Sequence, residues 1–139
     1  MNSPGLTLPP LSLYIHIPWC VRKCPYCDFN SHESKPGNQT IPEAAYIAAL
    51  KQDLTREANN AFDQNSRKLH SIFFGGGTPS LFSAQGIETI LNHAEKTIGF
   101  EKNIEITLEA NPGTFEQEKF SGFFNAGINR LSIGIQSFQ

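Results

Sequence analysis

The order of hydrophobic periods along this 139-residue chain predicts an α/β fold with a parallel sheet. Strand-like alternation and helix-like spacing succeed each other as β-α-β-α-β-α-β, and each unit is about as long as a βαβ repeat. The segments that leave the strands carry the cysteines, a glycine run and an Asn-Pro-Gly stop. In such folds, ligands bind at the carboxyl ends of the strands.

Leu11, Leu13, Ile15 and Ile17 alternate with Ser12, Tyr14, His16 and Pro18, which predicts a first strand ending at the cysteines. Thr40, Pro42 and Glu43 read as a capping box with proline in the first turn, and Tyr46, Ile47, Leu50, Leu54 and Ala58 then recur at helical spacing. Leu69 to Phe74 is a short apolar strand stopped by Gly75, Gly76, Gly77, Thr78 and Pro79. Ser83 is placed to cap a helix carrying Ile87, Ile90, Leu91, Ala94 and Ile98 and ending at Gly99. Ile104, Ile106 and Leu108 alternate with Glu105, Thr107 and Glu109 up to Asn111, Pro112 and Gly113. Thr114 and Gln117 open the next helix, in which Phe120, Phe123 and Phe124 are all expected in the core, and Gly127 stands at its C-cap. Leu131, Ile133 and Ile135 alternate with Ser132, Gly134 and Gln136 in a last strand.

Parallel strands buried on both faces usually read as continuous apolar runs, yet three of these four are polar on one side. With the apolar side under helices, Tyr14, His16, Glu105, Thr107, Glu109, Ser132 and Gln136 face a polar interior, as in a barrel lumen used for a ligand. A complete eight-stranded barrel takes about 250 residues, so four strands read as the N-terminal part of a larger barrel. Residues 1–10 are expected to be a tail, and residues 11–139 the first part of a truncated core domain with an exposed strand edge prone to association.

A net charge of -2 with no run of Lys or Arg argues against a nucleic-acid or anionic-membrane surface. The N-terminus has no basic start and no long apolar stretch, so neither a signal peptide nor an integral membrane segment is expected. Clustered thiols without a secretion signal point to the reducing cytoplasm.

The chain's three cysteines, Cys20, Cys24 and Cys27, are spaced C-x3-C-x2-C directly after the first strand. An odd set cannot pair off as disulfides, and it is one thiolate short of a closed four-sulfur site. A cluster held by three cysteines leaves one iron open to a small molecule. Two other readings fit the same residues: a redox dithiol at Cys24-Pro25-Tyr26-Cys27, and structural zinc with His16 or His32 as fourth ligand. The dithiol reading lacks the helix that should begin at its first cysteine and leaves Cys20 without a role, while zinc sites usually come as two separated pairs. The glycine run alone could be a tight turn, Glu109 alone a solvated carboxylate, and His16 reads as a hydrogen-bonded structural histidine.

Tyr14-Ile15-His16-Ile17-Pro18-Trp19-Cys20, Cys24-Pro25-Tyr26-Cys27, Phe74-Gly75-Gly76-Gly77-Thr78-Pro79, Leu108-Glu109-Ala110-Asn111-Pro112 and Asn129 to Phe138 together resemble the radical S-adenosylmethionine (SAM) superfamily. The resemblance implies an open TIM-like barrel and a [4Fe-4S] cluster on Cys20, Cys24 and Cys27. Its free iron would be chelated by SAM, which one-electron reduction cleaves to a 5′-deoxyadenosyl radical. It also implies that Tyr14, Tyr26, Gly76, Gly77, Thr78, Glu109 and Gln136 contact this cofactor. The motifs are most similar to the branch containing oxygen-independent coproporphyrinogen III dehydrogenases and haem chaperones. The dehydrogenases resemble C-x3-C-x2-C-x-C, whereas Phe29 stands at the fourth position here, as in the chaperones. The resemblance therefore implies haem or a porphyrinogen as ligand, bound outside this segment, with client haemoproteins and an electron donor as partners.

Overall fold

The computed structural model describes residues 8–20, 32–33, 41–61, 67–112 and 114–134. Six strands and three helices follow in order: β1 (Leu11–Ile17), β2 (Trp19–Cys20), β3 (His32–Glu33), α1 (Glu43–Ala61), β4 (Leu69–Gly76), α2 (Ala84–Thr97), β5 (Phe100–Ala110), α3 (Thr114–Ala126) and β6 (Arg130–Ile133). A single 3-10 turn, Pro79–Leu81, joins β4 to α2.

The main sheet has the order β1-β4-β5-β6 and is parallel throughout, as expected of successive βα units. A separate two-residue parallel ladder pairs Trp19 with His32 and Cys20 with Glu33. The helices pack side by side, α1 on α2 and α2 on α3. Their apolar faces meet Ile15, Ile17, Ile72, Phe74, Ile106 and Leu108 from the sheet in one core. Phe74, Phe82 and Phe123 are wholly buried there, each worth on the order of 2–3 kcal/mol of apolar transfer. Among the described residues no helix is long and apolar enough to cross a membrane.

Local signals explain most element ends. Ser83 caps α2, its hydroxyl accepting from Gly86 N–H at 2.9 Å. Gly99 and Gly127 follow α2 and α3 with φ of +97° and +126°. After α3, Ile128 N–H bonds Phe123 O at 3.0 Å and Gly127 N–H bonds Phe124 O at 3.1 Å, a Schellman closure that only a left-handed residue allows cheaply.

α1 begins at Glu43, whose two carboxylate oxygens accept from Ser83 at the start of α2, while Thr40, the other half of the expected capping box, lies outside the described residues. Two expectations are corrected. β4 runs two residues further than predicted and includes Gly75 and Gly76, because their backbone still pairs with His16 and Ile17 of β1. Phe124 is 69% exposed, although Phe120 and Phe123 do pack on the core. Consecutive helical positions lie about 100° apart, and α3 is turned so that Phe123 meets the core while Phe124 lines an open groove beside Ser121 and Asn125. Gln117 and Thr114 have side chains outside the described set, as do all atoms of Thr40 and Ile135.

Candidate functional site: the cleft at the strand ends

Across the sheet face away from the helices, Tyr14, Phe73, Thr107 and Arg130 lie in register on β1, β4, β5 and β6. One step nearer the carboxyl ends, His16 pairs with Gly75 and Glu109 with Ser132. The polar alternation thus brings Tyr14, His16, Thr107, Glu109 and Ser132 to one face, as the sequence predicts. Glu105 is on that face too, held in an exposed pair with Arg130 at 3.0 Å. Phe73, Gly75 and Arg130 share the face without having been anticipated. Within the continuous apolar run of β4, period two gives no sign of which side Phe73 takes.

The glycine run ties β4 to the cysteine strand. Gly77 N–H bonds Ile17 O at 2.7 Å, and Thr78 N–H bonds Trp19 O at 2.6 Å. Trp19 immediately precedes Cys20, so the cysteine's backbone is docked on the turn that Thr78 begins. The docking leaves no room for side chains: a Cβ on Gly77 would stand 2.3 Å from Trp19 O. Gly76, at φ +111°, would place one 2.7 Å from the His16 ring and 2.8 Å from Ile17 O. At both positions glycine is required by the chain's own close approach, a tighter constraint than the turn geometry visible in sequence.

Aromatic rings hold the other side of this strand. Trp19 meets Tyr46 edge to face at 4.8 Å, and both adjoin Phe82 at about 6 Å. The Tyr46 hydroxyl donates to His16 O, and burial raises the Tyr46 pKa. The turn Pro79–Leu81 is fastened from α3 by the Lys119 ammonium, which donates to Ser80 O at 2.6 Å and Phe82 O at 3.3 Å. For Tyr46, Phe82 and Lys119 the sequence carries no signal of this supporting role, and for Trp19 only its adjacency to Cys20.

Between the ends of β4, β5 and β6 lies a cleft of about 400 Å³ lined by Gly77, Thr78, Glu109, Ala110, Asn111, Ser132, Ile133 and Gly134. Its size suits a small organic ligand. Burial raises the pKa of Glu109, opposed by the Gly76 N–H bonded to its carboxylate and by nearby His16. A partly desolvated carboxylate of this kind is relieved by a cationic ligand group. Thr78 is buried, and its Oγ1 accepts a 3.4 Å bond from Asn111 Nδ2. The Ser80 hydroxyl, fully buried, has no hydrogen-bond partner among the described residues.

Tyr14, two residues before His16 on β1, is 56% exposed, its hydroxyl 3.0 Å from His16 Nδ1 and its ring stacked near Phe73. Its pKa is raised by burial and by the Glu109 charge. His16 is the hydrogen-bonded residue expected from sequence. Cys20 is buried at the end of β2. Cys24, Tyr26, Cys27 and Gln136 lie outside the described residues.

Among the described residues, Cys20 is a thiol of the kind an iron–sulfur cluster takes, and the cleft donors suit SAM in chemical kind. Cys20 stands on the strand docked to Thr78, and the adjoining cleft offers a carboxylate for an ammonium and hydroxyl and amide groups for a carboxylate. The family model of the radical SAM superfamily matches residues 14–139. The chain is 64% identical to the heme chaperone HemW of Haemophilus influenzae, covering 94% of this chain and 34% of that protein. It is 39% identical to the mitochondrial radical S-adenosyl methionine domain-containing protein 1 of Bos taurus, over 98% of this chain and 29% of that protein. The chain thus spans about a third of the length of the curated relatives it matches. In fold it is similar to the radical SAM enzyme coproporphyrinogen III oxidase (HemN) of Escherichia coli, with a TM-score of 0.78 and 31% identity over 94% of this chain and 29% of that one.

Proposed function

The chain belongs to the radical SAM superfamily, and from that premise we propose that it is the cluster- and SAM-binding part of a haem chaperone, a protein that binds haem and passes it to client haemoproteins. One observation supports the binding site above all: Thr78 N–H is bonded to the carbonyl just before Cys20, so the cysteine strand and the cleft containing Glu109 are one connected piece of backbone. Cys20, Cys24 and Cys27 hold the [4Fe-4S] cluster. When bound, SAM and the cluster supply radical or redox chemistry that no side chain here provides.

The chain's own residues bind and orient. Glu109 would accept from the amino end of SAM, and Thr78 would serve its carboxylate end. Gly76 and Gly77 bring backbone to the methionine end, and Tyr14, Tyr26 and Gln136 complete the enclosure. The likeness to the Haemophilus influenzae chaperone and Phe29 in place of a fourth cysteine favour the chaperone branch. Haem would bind outside this segment, the cluster would take its electron from a separate donor, and the thiolate set suits the cytoplasm.

The fold likeness to coproporphyrinogen III oxidase favours a second reading, oxidative decarboxylation of a porphyrinogen. Reduced full-length protein, reconstituted anaerobically, is incubated in parallel with coproporphyrinogen III plus SAM and with haem plus an apo-haemoprotein. Haem transfer without protoporphyrinogen supports the chaperone; protoporphyrinogen formation overturns it. Iron and sulfide near four each per chain support the cluster, whereas zinc without iron, or a colourless dithiol, removes it.

A further inference from the structure

Thr78 and Asn111 face each other across the cleft floor, one after β4 and the other directly after β5. We infer that Asn111 is a positioning residue: it sets the direction of the Thr78 hydroxyl, so that this buried group donates its proton to the carboxylate end of the ligand. The inference rests on the reading that the cleft takes SAM.

A threonine hydroxyl carries one proton and two lone pairs, while the amide nitrogen of asparagine only donates. With Asn111 Nδ2 at 3.4 Å, Thr78 Oγ1 is the acceptor in this contact, and its single proton remains to be given elsewhere. Thr78 is only 4% exposed, so leaving that proton unpaired is costly. Its backbone cannot turn to hide the group, because Thr78 N–H is committed to Trp19 O at 2.6 Å and Thr78 O accepts from Leu81 N–H at 3.0 Å. Thr78 lines the cleft, so on this inference the free proton is given to a ligand there. Glu109, on the same cleft wall, is an acceptor with a raised pKa. A donor and an acceptor so arranged suit the two ends of a zwitterionic α-amino acid group. Asn111 itself is exposed at the end of its strand, which frees it from a packing role.

The test is a double-mutant cycle in the full-length, cluster-reconstituted protein. It uses Asn111→Ala, Thr78→Val and the pair, with SAM affinity read by titrating the spectral shift of the reduced cluster and iron content measured alongside. Asn111→Ala should weaken SAM about fivefold and Thr78→Val about tenfold, each with iron content unchanged. The pair should match Thr78→Val alone, because a residue acting through Thr78 has nothing left to position. Asn111→Asp, which can only accept, should draw the Thr78 proton to itself and weaken SAM more than Asn111→Ala does. The inference fails if Asn111→Ala leaves SAM affinity unchanged, or if its effect is undiminished in the Thr78→Val background. Failure of the unsubstituted protein to bind SAM would overturn the underlying cleft reading instead.

Discussion

Gly77 lies against the backbone of Trp19 so closely that a Cβ on the glycine would stand 2.3 Å from the Trp19 carbonyl oxygen and 2.6 Å from its carbon. The neighbour is main chain, which cannot swing aside as the tip of a side chain can. Gly77→Ala should therefore displace the Trp19–Cys20 strand or break the two bonds that hold it. We expect a loss of about 2–4 kcal/mol of stability and, in the full-length protein, a marked loss of bound iron. Chemical denaturation and iron analysis check both. Gly134→Ala, where an added Cβ would meet nothing within 4 Å, serves as the control.

Glu43 and Ser83 carry a second prediction. The Glu43 carboxylate accepts from both the backbone N–H and the hydroxyl of Ser83, each at 2.6 Å, while Ser83 caps α2. Glu43→Ala should cost about 1–2 kcal/mol, and Ser83→Ala a similar amount. In a double-mutant cycle by urea denaturation the two should be clearly non-additive, because they share one contact.

Glu109 predicts a pH dependence with a definite sign. Its pKa is raised in the folded chain, chiefly by burial, so folding favours the protonated form. This contribution is complete below the ordinary glutamate pKa and is lost as pH rises through the raised value. Glu109→Gln should melt higher than the unsubstituted chain at neutral pH and lose this component of the pH dependence. It should at the same time weaken SAM binding in the full-length protein. Melting curves across the carboxylate range decide the first part; a Gln variant that melts lower at neutral pH would contradict it.

Phe124 predicts a surface effect. It is 69% exposed and lines an open groove of about 470 Å³ with Phe120, Ile128 and Leu131, beside the edge strand β6 on which Ile133 is 40% exposed. Phe124→Ser should leave the melting temperature of the 139-residue chain nearly unchanged and reduce its self-association in sedimentation.

Much of this was legible because period-two alternation records which face of a strand meets solvent. Tyr14, His16, Glu109 and Ser132 come together as their spacing predicts. Ser83, Gly99 and Gly127 are legible for a different reason, since each meets a local backbone demand. What could not be read depends on contacts distant in sequence. Nothing near Glu43 signals that its partner is Ser83, and nothing near Lys119 signals that it fastens Ser80 and Phe82. The glycine run is plain in the sequence but its cause is not, because the close neighbours of Gly76 and Gly77 belong to β1 and Trp19, some 60 residues earlier. Phe124 was misjudged because an apolar residue on a helix reveals its face only when neighbouring elements are known.

The wedge of Trp19 among Tyr46 and Phe82 has a consequence for metallation. α1 and the turn before α2 hold the strand beneath Cys20 using protein contacts alone. In the proposed cluster site the first thiolate would thus be ordered during folding, before iron arrives, and less binding energy would be consumed in arranging it. On that reading Tyr46→Ala, far from sulfur, should weaken cluster binding in the full-length protein, read by iron content.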